Sequence, residues 1–119
     1  MNIAMMTNNF RPFIGGVPVS IERLSESLRG MGHNVYVFAP EYSEEYADDE
    51  YTFRYASFPV KMGIFIVPNS FDRRIGEIFG KLKIDVVHAH HPVFAGNSAR
   101  TLARLHDLPL LFIELPRRV

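Results

Sequence analysis

Two short apolar runs flank one strongly amphipathic stretch near the start of the chain, and this alternation restricts the available folds more than any other feature. Asn2 to Thr7 is an apolar run that halts at Asn8-Asn9, as a strand buried on both faces does before a polar loop. Beyond the loop, Val17, Ile21, Leu24, Leu28 and Met31 recur at helical spacing, while Glu22, Arg23, Glu26 and Arg29 take the opposite face, which predicts an amphipathic helix. Pro18 falls in its first turn, where a missing N–H loses no bond, and Gly32 supplies a left-handed stop. Val35 to Phe38, β-branched and aromatic and ending at Ala39-Pro40, reads as a second buried strand. Strand, helix and strand of these lengths form one βαβ unit, which commits the sheet to parallel pairing.

The rest of the chain extends the pattern. Glu41 to Glu50 is an acidic, turn-rich insertion, and Tyr51 to Phe58 alternates as a third strand near the sheet edge. Met62 to Pro68 fits either a short strand or a packed loop, because a brief apolar run fixes neither period. Phe71, Ile75, Ile78, Phe79 and Leu82 mark a second helix, with Asn69 or Ser70 placed to cap it. Ile84 to His88 reads as a central strand, Ala95, Ala99, Leu102, Ala103 and His106 as the stripe of a third helix, and Leu110 to Ile113 as a final strand. The order β-α-β-β-α-β-α-β predicts an α/β fold: a Rossmann-like, doubly wound, mostly parallel sheet with helices on both faces. Its ligand crevice belongs at the carboxyl ends of the strands, where the strand order reverses.

Composition excludes several function classes. A chain of 119 residues that is 47% hydrophobic and 22% charged is long enough to bury a core and too apolar to be disordered. Thirteen basic and thirteen acidic residues cancel, so no overall field draws the chain to nucleic acid. Without cysteine there is neither disulfide nor thiolate chemistry. The apolar start is too short for a secretory signal, and no run approaches a membrane span; a cytoplasmic domain is expected.

Chemistry concentrates in two loops that should meet at the crevice. Gly15-Gly16 stands directly before the first helix, where absent Cβ atoms and free N–H groups suit an approaching diphosphate, although the same pair also serves a plain sharp turn. Gly-x-Gly-x-x-Gly and the P-loop pattern are both absent, which makes dinucleotide enzymes and P-loop kinases poor candidates. His88, His90, His91 and Pro92 form the second cluster; alternation sends His88 and His90 to one side and His91 to the other. No further residue is spaced to complete a zinc site, so no metal is expected, and hydrogen bonding to a polar substrate is favoured over packing or metal binding. His33, His106, Arg73-Arg74, Arg117-Arg118 and the acidic group Glu44, Glu45, Asp48, Asp49 and Glu50 read as caps or solvated charge.

Taken in order, Asn2-Ile3-Ala4 through Phe10-Arg11-Pro12, Gly15-Gly16-Val17, Ser20-Ile21-Glu22-Arg23-Leu24, Gly32-His33-Asn34-Val35, Val37-Phe38-Ala39-Pro40 and Asp85-Val86-Val87-His88-Ala89-His90-His91-Pro92 resemble the N-terminal domain of family-four retaining glycosyltransferases. The likeness spans nearly the whole chain. It implies the GT-B architecture, in which two Rossmann-like domains face each other across a cleft, the first holding the acceptor and the second the nucleotide sugar. By resemblance, Gly15, Gly16 and Val17 approach the donor diphosphate. Phe10, Arg11, His90 and His91 border the acceptor, with His90 and His91 also the candidates for a catalytic role. The co-substrate is a nucleotide sugar, the acceptor a sugar or lipid, and no cofactor is implied.

One departure bears on activity. Where members of that family continue after the last strand with a Tyr-His-Thr-like segment, this chain reads Ile113-Glu114-Leu115-Pro116-Arg117-Arg118-Val119. The resemblance therefore implies that residues 1–119 form one acceptor-side domain, incomplete at its C-terminal end. Such a truncated, frame-altered or split product would need the missing C-terminal Rossmann-like domain for sugar transfer. An uncovered half-cleft would favour self-association, and the apolar run Met62 to Val67 fits either a surface ridge suited to a lipid acceptor and peripheral contact with the inner face of the membrane or a segment that closes the core. Two alternatives stand beside this reading. One is a non-catalytic Rossmann-like remnant or regulatory ligand-binding module; the other is a metal-dependent hydrolase built around His88, His90 and His91.

Overall fold

The computed structural model describes residues 1–8, 10, 16–41, 47–55, 57–62, 65–68, 73–91 and 95–112. Its elements are β1 (Asn2–Met6), α1 (Gly16–Gly30), β2 (Asn34–Pro40), β3 (Thr52–Tyr55), β4 (Ser57–Met62), β5 (Phe65–Pro68), α2 (Arg73–Leu82), β6 (Val86–Ala89), α3 (Ala95–Leu105) and β7 (Leu110–Phe112). Five strands pair in the order β3-β2-β1-β6-β7, every pairing parallel. The chain winds outward from β1 in one direction and from β6 in the other, so the strand order reverses between these two central strands. This is the Rossmann-like α/β sheet that the alternation of elements predicts.

The helices divide between the two faces. Ile21 on α1, with Val17, Leu24 and Leu28, packs on Ile3, Met5, Val35, Val37, Ala39 and Val86. Ile75 and Phe79 of α2 and Ala95, Ala99, Leu102 and Ala103 of α3 cover Ala4, Met6, Phe38, Val87 and Ala89 on the other face. Period-two alternation along β1 and β6 produces this split, with odd residues of β1 facing one layer and even residues the other. The rings of Phe38 and Phe79 meet at 4.9 Å; burial of such a side chain contributes about 1.5–3 kcal/mol.

The structure departs from the sequence expectations in two places. The run Tyr51 to Phe58 is not one strand: β3 ends at Tyr55, and β4 pairs antiparallel with β5 as a separate two-stranded sheet. The register shifts between Ser57 and Lys61, a stretch that contains Pro59, whose missing N–H cannot serve a continuous ladder. Helix α1 stops at Gly30, so Met31, counted on its apolar stripe, lies past the end and is exposed. The expected cap at Asn69 or Ser70 lies outside the described residues.

All three helices are followed by a left-handed residue: Gly32 (φ 93°) after α1, Lys83 (φ 54°) after α2 and Asp107 (φ 53°) after α3. After α1 and α3 the chain closes with the six-to-one hydrogen bonds of a Schellman end, from His33 N–H to Leu28 O at 3.1 Å and from Leu108 N–H to Ala103 O at 2.8 Å. At the amino end of the sheet, the Asn2 side-chain amide donates to Leu82 O and Lys83 O, and its oxygen accepts from Asn34. This clamp ties the lower loops together and leaves the carboxyl ends of the strands as the open side.

Candidate functional site

The carboxyl ends of β1 and β6 lie side by side, joined by a hydrogen bond from His90 N–H to Met6 O at 2.9 Å. On the other flank of β1, Thr7 N–H donates to Phe38 O at 3.1 Å, and the Tyr55 hydroxyl donates to Thr7 O at 2.5 Å. The two loops singled out by the sequence therefore leave the sheet at adjacent positions on the same end, at the reversal of strand order. In open α/β sheets this is where ligands bind.

Gly16 opens α1, is exposed, and among the described residues outside its own helix backbone and chain neighbours has no atom within 4 Å of where a Cβ would stand. The first four N–H groups of a helix have no partner within it, and the helix dipole places partial positive charge there. Val17 is half-buried against the α1-side core, so any contact it makes to an anion runs through its backbone. Gly15 and Arg11 lie outside the described residues. Phe10 is 1% exposed and packs with Ile3, Met5 and Ile21, so its ring belongs to the α1-side core. The Arg54 guanidinium carbon stands 5.8 Å from the centre of that ring.

The histidines follow the alternation. His88 and His90 stack, ring centres 4.5 Å apart with an interplanar angle of 24°, as two residues on one side of a strand end must. Burial lowers the pKa of all three histidines. His90 is pushed down to about 3, first by burial and then by the neighbouring charges of His88 and His91, so its ring is neutral at physiological pH. Its Nε2 is buried with no hydrogen-bond partner among the described residues, an arrangement that is costly unless a ligand or water completes it. Among the described residues, no group of three or more His, Cys, Asp or Glu is placed to hold a metal ion.

Three residues shape this end of the sheet without having drawn attention in the sequence. The Asn8 side-chain oxygen accepts a hydrogen bond from Ala95 N–H, the first residue of α3, at 2.8 Å in a buried position. Gly96 sits so close to the histidine loop that a Cβ there would lie 2.5 Å from His91 O. Arg54, its side chain 7% exposed, bridges to Asp48 at 2.8 Å and donates to Pro40 O at 3.1 Å. Asp48 is therefore part of a turn brace, as is Asp49, which accepts from Thr52 at 2.8 Å; neither is plain solvated charge.

With this geometry established, comparison with known proteins identifies the lineage. The sequence profile of Glycosyltransferase Family 4 matches residues 14–114. The chain belongs to that family. Among its relatives, the alpha-monoglucosyldiacylglycerol synthase of Acholeplasma laidlawii is 29% identical over 121 residues, a match that takes in 94% of this chain and 29% of that protein. The crystal structure of MurG from Acinetobacter baumannii superposes with a TM-score of 0.63 at 17% identity, covering 93% of this chain and 34% of that one. This likeness establishes the fold as a GT-B-type Rossmann-like domain, and the chain spans about a third of the length of these two proteins. No helix among the described residues is long and apolar enough to cross a membrane.

Proposed function

We propose that this glycosyltransferase domain forms the acceptor-side wall of a two-domain active site, and that sugar transfer requires a second, donor-binding Rossmann-like domain. The observation that carries the reading is the juxtaposition of two loops at the strand-order reversal. One opens a helix with an exposed glycine, and the other presents a buried imidazole nitrogen without a partner among the described residues.

In the transfer, an acceptor hydroxyl oxygen bonds to the anomeric carbon of the sugar as the bond from that carbon to the phosphate oxygen breaks. The electron pair leaves with the nucleoside diphosphate, and the hydroxyl proton ends on the departing phosphate or in solvent. Negative charge grows on the diphosphate, where N–H groups at Gly15, Gly16 and Val17 are suited to oppose it. His90, with a pKa of about 3, is too weak a base to hold the proton at neutral pH. Its part is a hydrogen bond to an acceptor hydroxyl, shared with His91. The chemistry needs no cofactor or metal. The name of the Acholeplasma relative favours a lipid acceptor, which fits a domain working at the inner face of a membrane.

Two measurements test the proposal. Titration with UDP and GDP, followed by amide NMR, should move Gly16 and Val17 before any other resonances. Sugar transfer from a nucleotide sugar to diacylglycerol vesicles should appear only when a donor-binding domain is added. Ligand binding without transfer in that mixture would instead favour a regulatory module, and perturbation centred away from the α1 start would remove the diphosphate assignment.

A further inference from the structure

We propose that Asn8 is a positioning residue that holds the start of α3, and with it the histidine loop, against the end of β1. The inference deepens the reading above and rests on it for its functional meaning.

The residues ahead of α3 offer no side-chain cap. A helix needs acceptors for its first N–H groups, usually supplied by a Ser, Thr, Asp or Asn just ahead of it. The residues before Ala95 are Pro92, Val93 and Phe94, none of which carries a side-chain oxygen. The acceptor arrives from Asn8, 87 positions away in sequence. Asn8 itself follows Thr7, whose N–H and carbonyl are held by Phe38 and Tyr55, so the oxygen is offered from a fixed base. It binds the first residue of α3, and the next residue, Gly96, admits the carbonyl of His91 into the space a side chain would fill. This hydrogen bond thus ties the start of α3, and through it His91, to the end of β1, beside the bond from His90 N–H to Met6 O. A local cap would secure the helix without adding this second tie between α3 and the end of β1.

The test compares Asn8→Ala with Asn8→Asp, which keeps an oxygen of the same reach. In Asn8→Ala, hydrogen exchange at the Ala95 amide should accelerate at least tenfold while the amides of Met5 and Val37 in the sheet keep their protection. The His90 imidazole titration should move upward, toward the ordinary histidine value, as the loop loosens. Asn8→Asp should restore protection at Ala95. Uniform acceleration across the sheet would reduce Asn8 to a general stabiliser, and an unmoved His90 titration would overturn the positioning role; either result rejects the proposal. UDP titration of the unsubstituted chain provides a separate arm. Its failure would count against the diphosphate reading alone, because the exchange and titration arms decide the role of Asn8 without it.

Discussion

The hydroxyl of Tyr55, on edge strand β3, donates to the carbonyl of Thr7, at the end of β1, across the intervening β2. The ring is 2% exposed, so the bond forms out of water and anchors the point from which the β1–α1 loop departs. Tyr55→Phe removes the donor and leaves a buried carbonyl short of one partner, which should cost about 1–3 kcal/mol. Urea denaturation should show a lower midpoint at unchanged slope; an unaltered midpoint would mean that the carbonyl is equally well served without the phenol.

Acid should weaken the fold through the histidine loop. The folded-state pKa of His90 is depressed to about 3, below the value near 6.5 expected in the unfolded chain. Between these limits the unfolded state binds more protons, so the contribution of this group is fully present above pH 6.5 and is lost as pH falls toward 3. The slope is at most about 1.4 kcal/mol per pH unit for one such residue. His88 and His91, also depressed by burial, add in the same direction. Stability curves of His90→Gln should be flatter than those of the parent between pH 6.5 and 4, and parallel curves would contradict the assignment.

Two glycines in helices should respond oppositely to alanine. At Gly96 the new Cβ would meet the His91 carbonyl at 2.5 Å, and overpacking against backbone should outweigh the gain in helix propensity, for a net loss of about 1–2 kcal/mol. At Gly80, within α2, nothing among the described residues outside its own helix backbone and chain neighbours lies within 4 Å, and the same change should stabilise by about 0.5–1 kcal/mol. Thermal melts of the two variants side by side provide the check.

The left-handed helix ends permit a similar comparison. Gly32→Ala places a Cβ at φ 93° and should cost about 1–2 kcal/mol. Lys83→Gly relieves the strain at φ 54° but adds freedom to the unfolded chain, so a smaller gain of about 0.5 kcal/mol is expected. The hydrogen bond that Lys83 O accepts from Asn2 involves only backbone at Lys83 and should survive. Chemical denaturation distinguishes the signs directly.

The central architecture was legible because it rests on local periodicity. Val17, Ile21, Leu24 and Leu28 announce α1, and the β-branched runs announce β1, β2 and β6. Pairing at the edge was less so, since nothing local to Tyr51–Phe58 says where one sheet ends and a separate hairpin begins. Within the site, the loops at Gly16 and His90 could be found because glycines before a helix and clustered histidines are unusual residue types for plain connections. Asn8 and Gly96 could not, because their significance lies in contacts made across the fold: an oxygen reaching a distant helix start and a carbonyl filling an absent side chain. Phe10 is the converse case: its place in the core, with Ile3, Met5 and Ile21, comes from contacts made across the fold and not from its own stretch of sequence.

The reversal of strand order also has a mechanical meaning. The line between β1 and β6 is a seam where two separately wound halves meet, one containing α1, β2 and β3 and the other α3 and β7, with α2 crossing from one to the other. A molecule gripped from both sides of that line would act as a strap, resisting the parting of the halves more than it stiffened either one. Occupancy would then slow opening most at the bond between His90 and Met6, making the seam itself the gauge of binding.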